Sequence, residues 1–405
     1  MIASPKPMSH LEATDVARRL RWVVAEATRT APDRDRPMSL HEPELDGRET
    51  DYVADAIAST FVSSVGAYVD RFEGMLAEIC GARRAVAVVN GTAALHVALI
   101  ASGVETGDEV LMPALTFAAT AAAARYIGAF PHFVDADPDR LSLCPRALAA
   151  RLDAVADRRR EGVFNRESGR RIGAIVPMHV FGHPADMAGL SAVADAWGLP
   201  VVEDAAEALG SRDGDHPVGA RARLATLSFN GNKIVTTGGG GAILTDDEAL
   251  GRRLKHLTTT AKLPHRWAFV HDEVGFNYRL PNLNAALGCA QLERLADFLA
   301  RKRRLAMRYE EALSGVAGAS LVAEPPGTQS NYWLVAVMLA PELAPHRDAI
   351  LAALNDAGVG ARPVWTLLHR LAPYADCPRG DLAVSEDIEA RLINLPSSAR
   401  YGAER

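Results

Sequence analysis

Lys233 stands in a run of small and polar residues, Ser228-Phe-Asn-Gly-Asn-Lys233, and four glycines follow at 238–241. A lysine amine whose proton affinity is lowered by burial or by neighbouring cations is a nucleophile toward a carbonyl carbon. Small residues around it leave room for a bound aldehyde, and Ser228 offers a hydroxyl to a phosphate. A lone lysine beside glycines is otherwise an ordinary surface residue, so its meaning rests on what precedes it. Val201-Val-Glu-Asp204-Ala-Ala-Glu207 reads as a buried strand running into an acid. An acid at the carboxyl end of a parallel strand lies where open α/β sheets bind ligands. There it can hold the protonated ring nitrogen of an electron-accepting cofactor; capping the next helix is the plainer role. Further upstream, Val89-Asn-Gly-Thr-Ala-Ala-Leu95 reads as strand end, glycine turn and helix start. Free N–H groups around Gly91 to Ala93, with the Thr92 hydroxyl, form an anion site favoured by the helix dipole. The same pattern also makes an ordinary turn and cap. Neither G-x-x-x-x-G-K-S/T nor G-x-G-x-x-G occurs, which argues against an NTPase or a Rossmann dehydrogenase.

These stretches need a scaffold, and from about 81 to 245 the texture supplies one. Short apolar runs (85–89, 109–112, 132–134, 174–178, 200–203, 224–229 and 241–245) alternate with helical patterns at 91–100, 116–126 and 187–197. Strands of this kind alternating with helices predict a mainly parallel sheet covered on both faces. Residues 157–171 are charged and aperiodic and are expected as an exposed loop. One long helical pattern covers 282–313. After Gly318 the texture changes to strand (333–339), helix (345–355), strand (359–362) and helix (385–393), a smaller α+β unit. Residues 1–40 are expected as an N-terminal extension with a short helix whose apolar face is Leu11, Val16, Leu20 and Val24.

The bulk composition excludes little else. With 405 residues, 48% hydrophobic and a net charge of −6, the chain suits one large α/β unit plus a lesser one. That charge gives no global attraction to nucleic acid or anionic membranes. No apolar run is long enough to span a bilayer and no secretory pattern opens the chain, so a cytoplasmic protein is expected. The four cysteines (80, 144, 289, 377) are far apart and expected as free core thiols, with no metal site.

Taken together and in order, these stretches resemble the sugar aminotransferases of the DegT/DnrJ/EryC type, fold-type-I pyridoxal-phosphate enzymes. The resemblance also runs through Pro113-Ala-Leu-Thr-Phe-Ala-Ala-Thr120, His179-Val-Phe-Gly182 with Asp186-Met187, and Gly275-Phe-Asn-Tyr-Arg-Leu280, covering about 40 to 395. It implies a large domain (41–280) with a mainly parallel seven-stranded sheet flanked by helices, then a long connecting helix and a small C-terminal α+β domain (281–405). It implies that Lys233 carries pyridoxal 5'-phosphate as a Schiff base and shuttles the proton, and that Asp204 pairs with the pyridinium. Thr92 and Ser228, with the N–H groups around Gly91 to Ala93, would hold the phosphate, Asn230 would also bind the cofactor, and Phe117 would stack on the ring. Asn277 would reach across a homodimer interface to the partner's phosphate. His179, Arg279 and His369 are candidates for the substrate side, with Trp365 and Arg362 as further possible lining groups. The resemblance implies L-glutamate as donor and a nucleotide-linked keto sugar as acceptor. Glu207 would bind the cofactor near its phenolic oxygen, where relatives often carry Gln or His, and resembles the version in members that aminate the C4 keto group. The block Phe61 to Glu73 looks most like the subgroup acting on UDP-linked 4-keto-6-deoxy-N-acetyl sugars. Alternatives are another keto sugar nucleotide such as GDP-4-keto-6-deoxymannose, a C3 keto sugar, a dehydrating relative with histidine in place of the lysine, or a non-catalytic sugar-nucleotide sensor.

Overall fold

The computed structural model describes residues 13–404. The apolar runs become strands β1 (Arg84–Val88), β2 (Glu109–Pro113), β3 (Phe130–Val134), β4 (Ile172–Ile175), β5 (Val202–Asp204), β6 (Leu224–Ser228) and β7 (Gly241–Thr245). A four-stranded ladder β1-β7-β6-β5 and a three-stranded ladder β4-β2-β3 are joined by the parallel bridges Ile175–Val201 and Met178–Asp204. The result is one seven-stranded sheet in which β7 alone runs antiparallel to its neighbours.

Twelve α-helices among the described residues surround and extend this sheet: α1 (Ala13–Thr28), α2 (Glu49–Ala58), α3 (Ala67–Cys80), α4 (Gly91–Ala101), α5 (Ala118–Ile127), α6 (Pro145–Val155), α7 (Met187–Trp197), α8 (Glu248–Thr258), α9 (Asn282–Glu293), α10 (Leu295–Leu313), α11 (Arg347–Asp356) and α12 (Ala383–Arg391). The two-residue period of a strand divides the sheet's side chains between two cores. Val86, Val88 and Ile243 pack with Leu95, Leu99 and Ala121 of α4 and α5. Ala85, Ala87, Ala242 and Leu244 face the other way, against Phe72 and Leu76 of α3 and Ala285 and Cys289 of α9. Both faces are therefore dry, which is why these strands are almost continuously apolar. The four cysteines are buried and unpaired.

The smaller C-terminal domain holds an antiparallel sheet, β8 (Ala319–Leu321), β9 (Val335–Leu339), β10 (Arg362–Pro363) and β11 (Leu392–Leu395), in the order β8-β9-β11-β10. The last helical pattern, expected over 385–393, runs past the helix into the strand β11; the helix ends at Arg391 and the apolar run continues as strand. The helical pattern over 282–313 is two helices that meet at Arg294, where the backbone leaves helical geometry (φ −103°, ψ 0°). The charged stretch 157–171 is not a plain loop. Residues 156–159 and 162–165 pair as a hairpin, and Asn165 and Ser168 donate to the buried Glu109 carboxylate at 2.9 and 2.5 Å. Satisfying that carboxylate needs ordered polar groups, which charge content alone does not reveal.

Helix α1 lies in the same apolar core as the small domain: Val16, Leu20, Val23 and Val24 are fully buried with Leu305, Tyr309, Ile350 and Leu354. Leu11, expected on the same face, lies outside the described residues. Leu20→Ala should therefore lower stability by about 2–5 kcal/mol, the range for truncating a fully buried leucine. A denaturant midpoint within experimental error of wild type would show that α1 is not an integral part of the core.

Candidate active site

The site forms where β5, β6 and the start of α4 come together. Ser228 is the last residue of β6 and Asp204 the last of β5, so both lie at carboxyl ends of neighbouring parallel strands. They open into a cavity of about 660 Å³ shared with the small domain, lined by Gly91, Thr92, Phe117, Asp204, Glu207, Ser228, Asn230 and Lys233 among others. The glycine turn acts through a missing atom. A Cβ on Gly91 would lie 2.9 Å from Ser228 Cβ and 3.2 Å from its Oγ, so only glycine lets the helix start approach this strand. Asn90 caps α4, its Oδ1 accepting from Ala93 N at 2.7 Å. The Ala93 N–H, expected among the phosphate donors, is already spent on this cap, so the groups the turn still offers are the N–H groups of Gly91 and Thr92 and the Thr92 hydroxyl. Gly91→Ala should weaken cofactor binding roughly tenfold or more, since it displaces Ser228 from the anion site; a titration with pyridoxal phosphate checks this.

Asp204 is 2% exposed. Its Oδ2 accepts from Thr120 Oγ1 at 2.7 Å and its Oδ1 from Ala206 N at 3.2 Å. Burial raises its proton affinity, and these two hydrogen bonds only partly offset that. A buried carboxylate in this state gains most from a cationic partner. Glu207 is similar: burial pushes its carboxyl up to about 7, against the pull of Lys233 and of the Phe181 N–H. Lys233 Nζ donates to Glu207 Oε1 at 3.1 Å and lies 3.9 Å from the centre of the Trp333 ring. Phe181 N donates to Glu207 Oε2 at 2.9 Å from a backbone with φ of 55°.

Between the ordinary carboxylate range and about 7, Glu207 in the fold keeps a proton that the unfolded chain has released. Stability of the cofactor-free protein should therefore fall through that window as pH rises, by up to a few kcal/mol. Glu207→Gln should remove this slope; melting curves at several pH values would test it, and an unchanged slope would sink the assignment.

Phe117, the residue before α5, lines the cavity half exposed, with its ring 6.2 Å from Trp365. Three expected substrate-side groups are not in the cavity. His179 is fully buried, with Nδ1 accepting from Ala185 N at 3.0 Å and Nε2 3.2 Å from Glu203 Oε2, so both nitrogens are spent inside the large domain. His369 lies 3.6 Å from Glu386 and outside the lining, whereas its neighbours Arg362 and Trp365 belong to it. Arg279 pairs its backbone with Val88 and does not line the cavity either. Asn277 is exposed and away from the cavity of its own chain. Sequence reading missed Trp333, Thr120, Phe181 and Asn394. Thr120 alone carried a signal, because it stands three residues after Phe117 at a helix start.

The residues present fit pyridoxal phosphate: an anion cradle that a Cβ would fill, a buried carboxylate that favours a cationic partner, and an amine opening into the cavity between them. Fold and site together define a fold-type-I pyridoxal-phosphate-dependent transferase. Residues 43–405 match the DegT/DnrJ/EryC1/StrS aminotransferase family, and the chain belongs to it. It is similar to the GDP-perosamine synthase of Caulobacter vibrioides (38% identical over 365 residues, 89% of this chain and 93% of that one). It is also similar to that of Escherichia coli O157:H7 (36% over 358 residues, 88% and 92%). Among solved structures, DesI in the presence of its TDP-sugar product is 30% identical with a TM-score of 0.80, covering 92% of this chain and 91% of that one. The chain is thus an enzyme of the pyridoxal-phosphate-dependent nucleotide-sugar aminotransferases. The relatives named here carry GDP and TDP in their names, whereas the sequence blocks pointed to a UDP-linked acceptor.

Proposed function

We propose that the protein transfers the amino group of L-glutamate to the C4 keto group of a GDP-linked 4-keto-6-deoxy sugar. The observation that carries the reading is the placement of Lys233 Nζ against Glu207 in a cavity that also holds Asp204 and the Gly91–Ser228 cradle. When bound, pyridoxal phosphate supplies an aldehyde for the lysine amine and a protonated ring that accepts electrons from a substrate carbanion. Asp204 would hold the ring N–H, and Gly91 N, Thr92 and Ser228 would hold the phosphate. Phe117 would cover one ring face. Lys233 Nζ takes the proton from the donor's α carbon, and Glu207, with its raised proton affinity, holds or returns a proton beside that amine. Trp333 keeps the amine against a dry wall.

Relatives named as GDP-perosamine synthases support the guanine nucleotide. The UDP-linked N-acetyl sugar is the second reading, favoured by the block Phe61 to Glu73 and by the lysine motif. Presenting the glutamate-loaded enzyme with each keto sugar nucleotide separates the two. Recovery of the visible cofactor band with the GDP-linked sugar alone supports the first reading, and recovery with the UDP-linked sugar alone replaces it.

A homodimer belongs to the same proposal. Trp267, Phe269 and Val274 are 72%, 79% and 85% exposed in the segment that precedes Asn277, an apolar surface that a second copy would cover. Asn277→Ala should then weaken cofactor binding in a dimer of unchanged mass, as read by light scattering and cofactor titration. No helix among the described residues is long and apolar enough to cross a membrane.

A further inference from the structure

We infer that the small-domain segment 331–333 is a clasp that sets the Glu207–Lys233 pair, with Trp333 as the positioning residue for the amine; the inference rests on the reading of Lys233 as the reacting amine. The pair joins two turns of the large domain, one after β5 and one after β6. Asn331 holds the first turn, its Nδ2 donating to Glu207 O and to Leu209 O, both at 2.9 Å. Trp333 holds the second, its indole Nε1 donating to Asn232 O at 2.7 Å, one residue before the lysine. The face of the same ring lies 3.9 Å from Lys233 Nζ, where the ring quadrupole attracts an ammonium. Lysine has four rotatable side-chain bonds, so a single hydrogen bond to Glu207 leaves the amine free to swing. A ring on its other side removes that freedom.

The clasp is itself tightly held. Asn331 is fully buried, its Oδ1 accepting from Trp333 N at 2.7 Å and its N donating to Ser211 Oγ at 2.9 Å. Between them Tyr332 takes a φ of 46°, a conformation that costs a non-glycine residue strain and persists only where the surroundings impose it. Gly182, which closes the block His179 to Gly182, lets the segment dock: its φ is 98°, and a Cβ there would collide with Asn331 Oδ1. From behind, the buried Lys302 Nζ donates to Trp333 O at 3.1 Å and to Ser397 O at 2.5 Å. Turning the indole away therefore breaks a charge-assisted hydrogen bond as well as the bond to Asn232. Among the described residues, Asn331 and Trp333 make no hydrogen bond to Gly91, Thr92, Ser228 or Asp204, so the clasp acts on the amine and its carboxyl partner and leaves the phosphate cradle alone.

The test compares wild type with Trp333→Leu, which loses ring and N–H, and Trp333→Phe, which keeps a ring face. Two ligands are added to the cofactor-free proteins. Pyridoxine 5'-phosphate, with an alcohol in place of the aldehyde, reports on the cradle by calorimetry and should bind all three alike. Pyridoxal phosphate condenses with the lysine amine and releases water, so the growth of its visible band reports where the amine stands. That growth should slow roughly tenfold or more in Trp333→Leu, and single turnover at saturating L-glutamate should slow roughly 10²-fold, as expected for a displaced reacting group. The glutamate concentration for half-maximal rate should change little. The isotope effect with α-deuterated glutamate should rise, because proton transfer becomes the slow step, and Trp333→Phe should recover part of each loss. Unchanged rates in both variants would overturn the inference. An equal loss of pyridoxine phosphate affinity would also overturn it, showing a collapsed cavity, as would a loss confined to the half-reaction with the keto sugar nucleotide. Failure of the reading of Lys233 shows separately, as absence of the visible band in wild type.

Discussion

Lys233→Ala is expected to abolish amino transfer, lowering the rate roughly 10⁴-fold or more, because one substitution removes both the covalent attachment point and the proton carrier. The variant should still fold. Lys233 is a cavity residue whose polar partner is Glu207, and its removal leaves that carboxyl free to stay neutral, given that burial already pushes it up to about 7. Cofactor affinity should fall only moderately, since the Gly91–Thr92–Ser228 cradle and Asp204 are untouched. Borohydride treatment should fix the cofactor permanently to the Lys233 peptide of wild type and leave Lys233→Ala unlabelled. Labelling elsewhere in the chain would assign the chemistry to another amine. Wild type that takes up no cofactor at all would move the sugar-nucleotide sensor reading to the front.

Asp204→Asn is expected to carry the second largest effect, a loss of roughly 10²–10³-fold in rate. An amide keeps the shape and can still accept from Thr120 Oγ1, but it supplies no negative charge to a ring N–H. The stability of the cofactor-free protein should move the opposite way. Burial raises the proton affinity of Asp204, so its ionised form opposes folding at neutral pH, and replacing it by a neutral isostere should leave stability unchanged or raise it. The cofactor should stabilise wild type more than the variant, because a bound ligand's stabilisation scales with its affinity. Melting curves with and without pyridoxal phosphate, set beside rates, check both halves. Equal rates in the two proteins would show that the ring nitrogen finds its counter-charge elsewhere.

Much of the scaffold could be read from the chain because burial on both faces leaves an unambiguous mark. The strands of the large sheet are short apolar runs, and their positions differ from the expected ones by one or a few residues. The errors fall where a second interaction overrides pattern. Apolar residues after Arg391 continue a helical texture yet pair as the central strand β11, since a strand partner was waiting at β9. The helix over 282–313 breaks at Arg294, a polar residue with no glycine or proline beside it to signal the break. The hairpin at 156–165 is organised by the buried Glu109, which lies far from it in sequence.

The candidate site divides along the same line. Asp204, Gly91, Thr92, Ser228 and Phe117 stand at strand ends and helix starts, with Lys233 and Glu207 in the turns just after β6 and β5, and the order of those motifs names their places before any fold is known. Their positions follow from the backbone itself, because a parallel sheet delivers the carboxyl ends of its strands to one crevice. His179 was indistinguishable from a substrate group in sequence, since nothing local reveals that its imidazole is engaged by Glu203 and a backbone N–H. Trp333, Arg362 and Asn394 come from the small domain, and only its docking against the large sheet turns them toward Lys233. The class of chemistry was legible in the chain because it resides in local motifs with local geometry. Which distant side chains complete the cavity emerges only on folding, because contacts between separate domains are set by packing and leave no periodic trace in the chain.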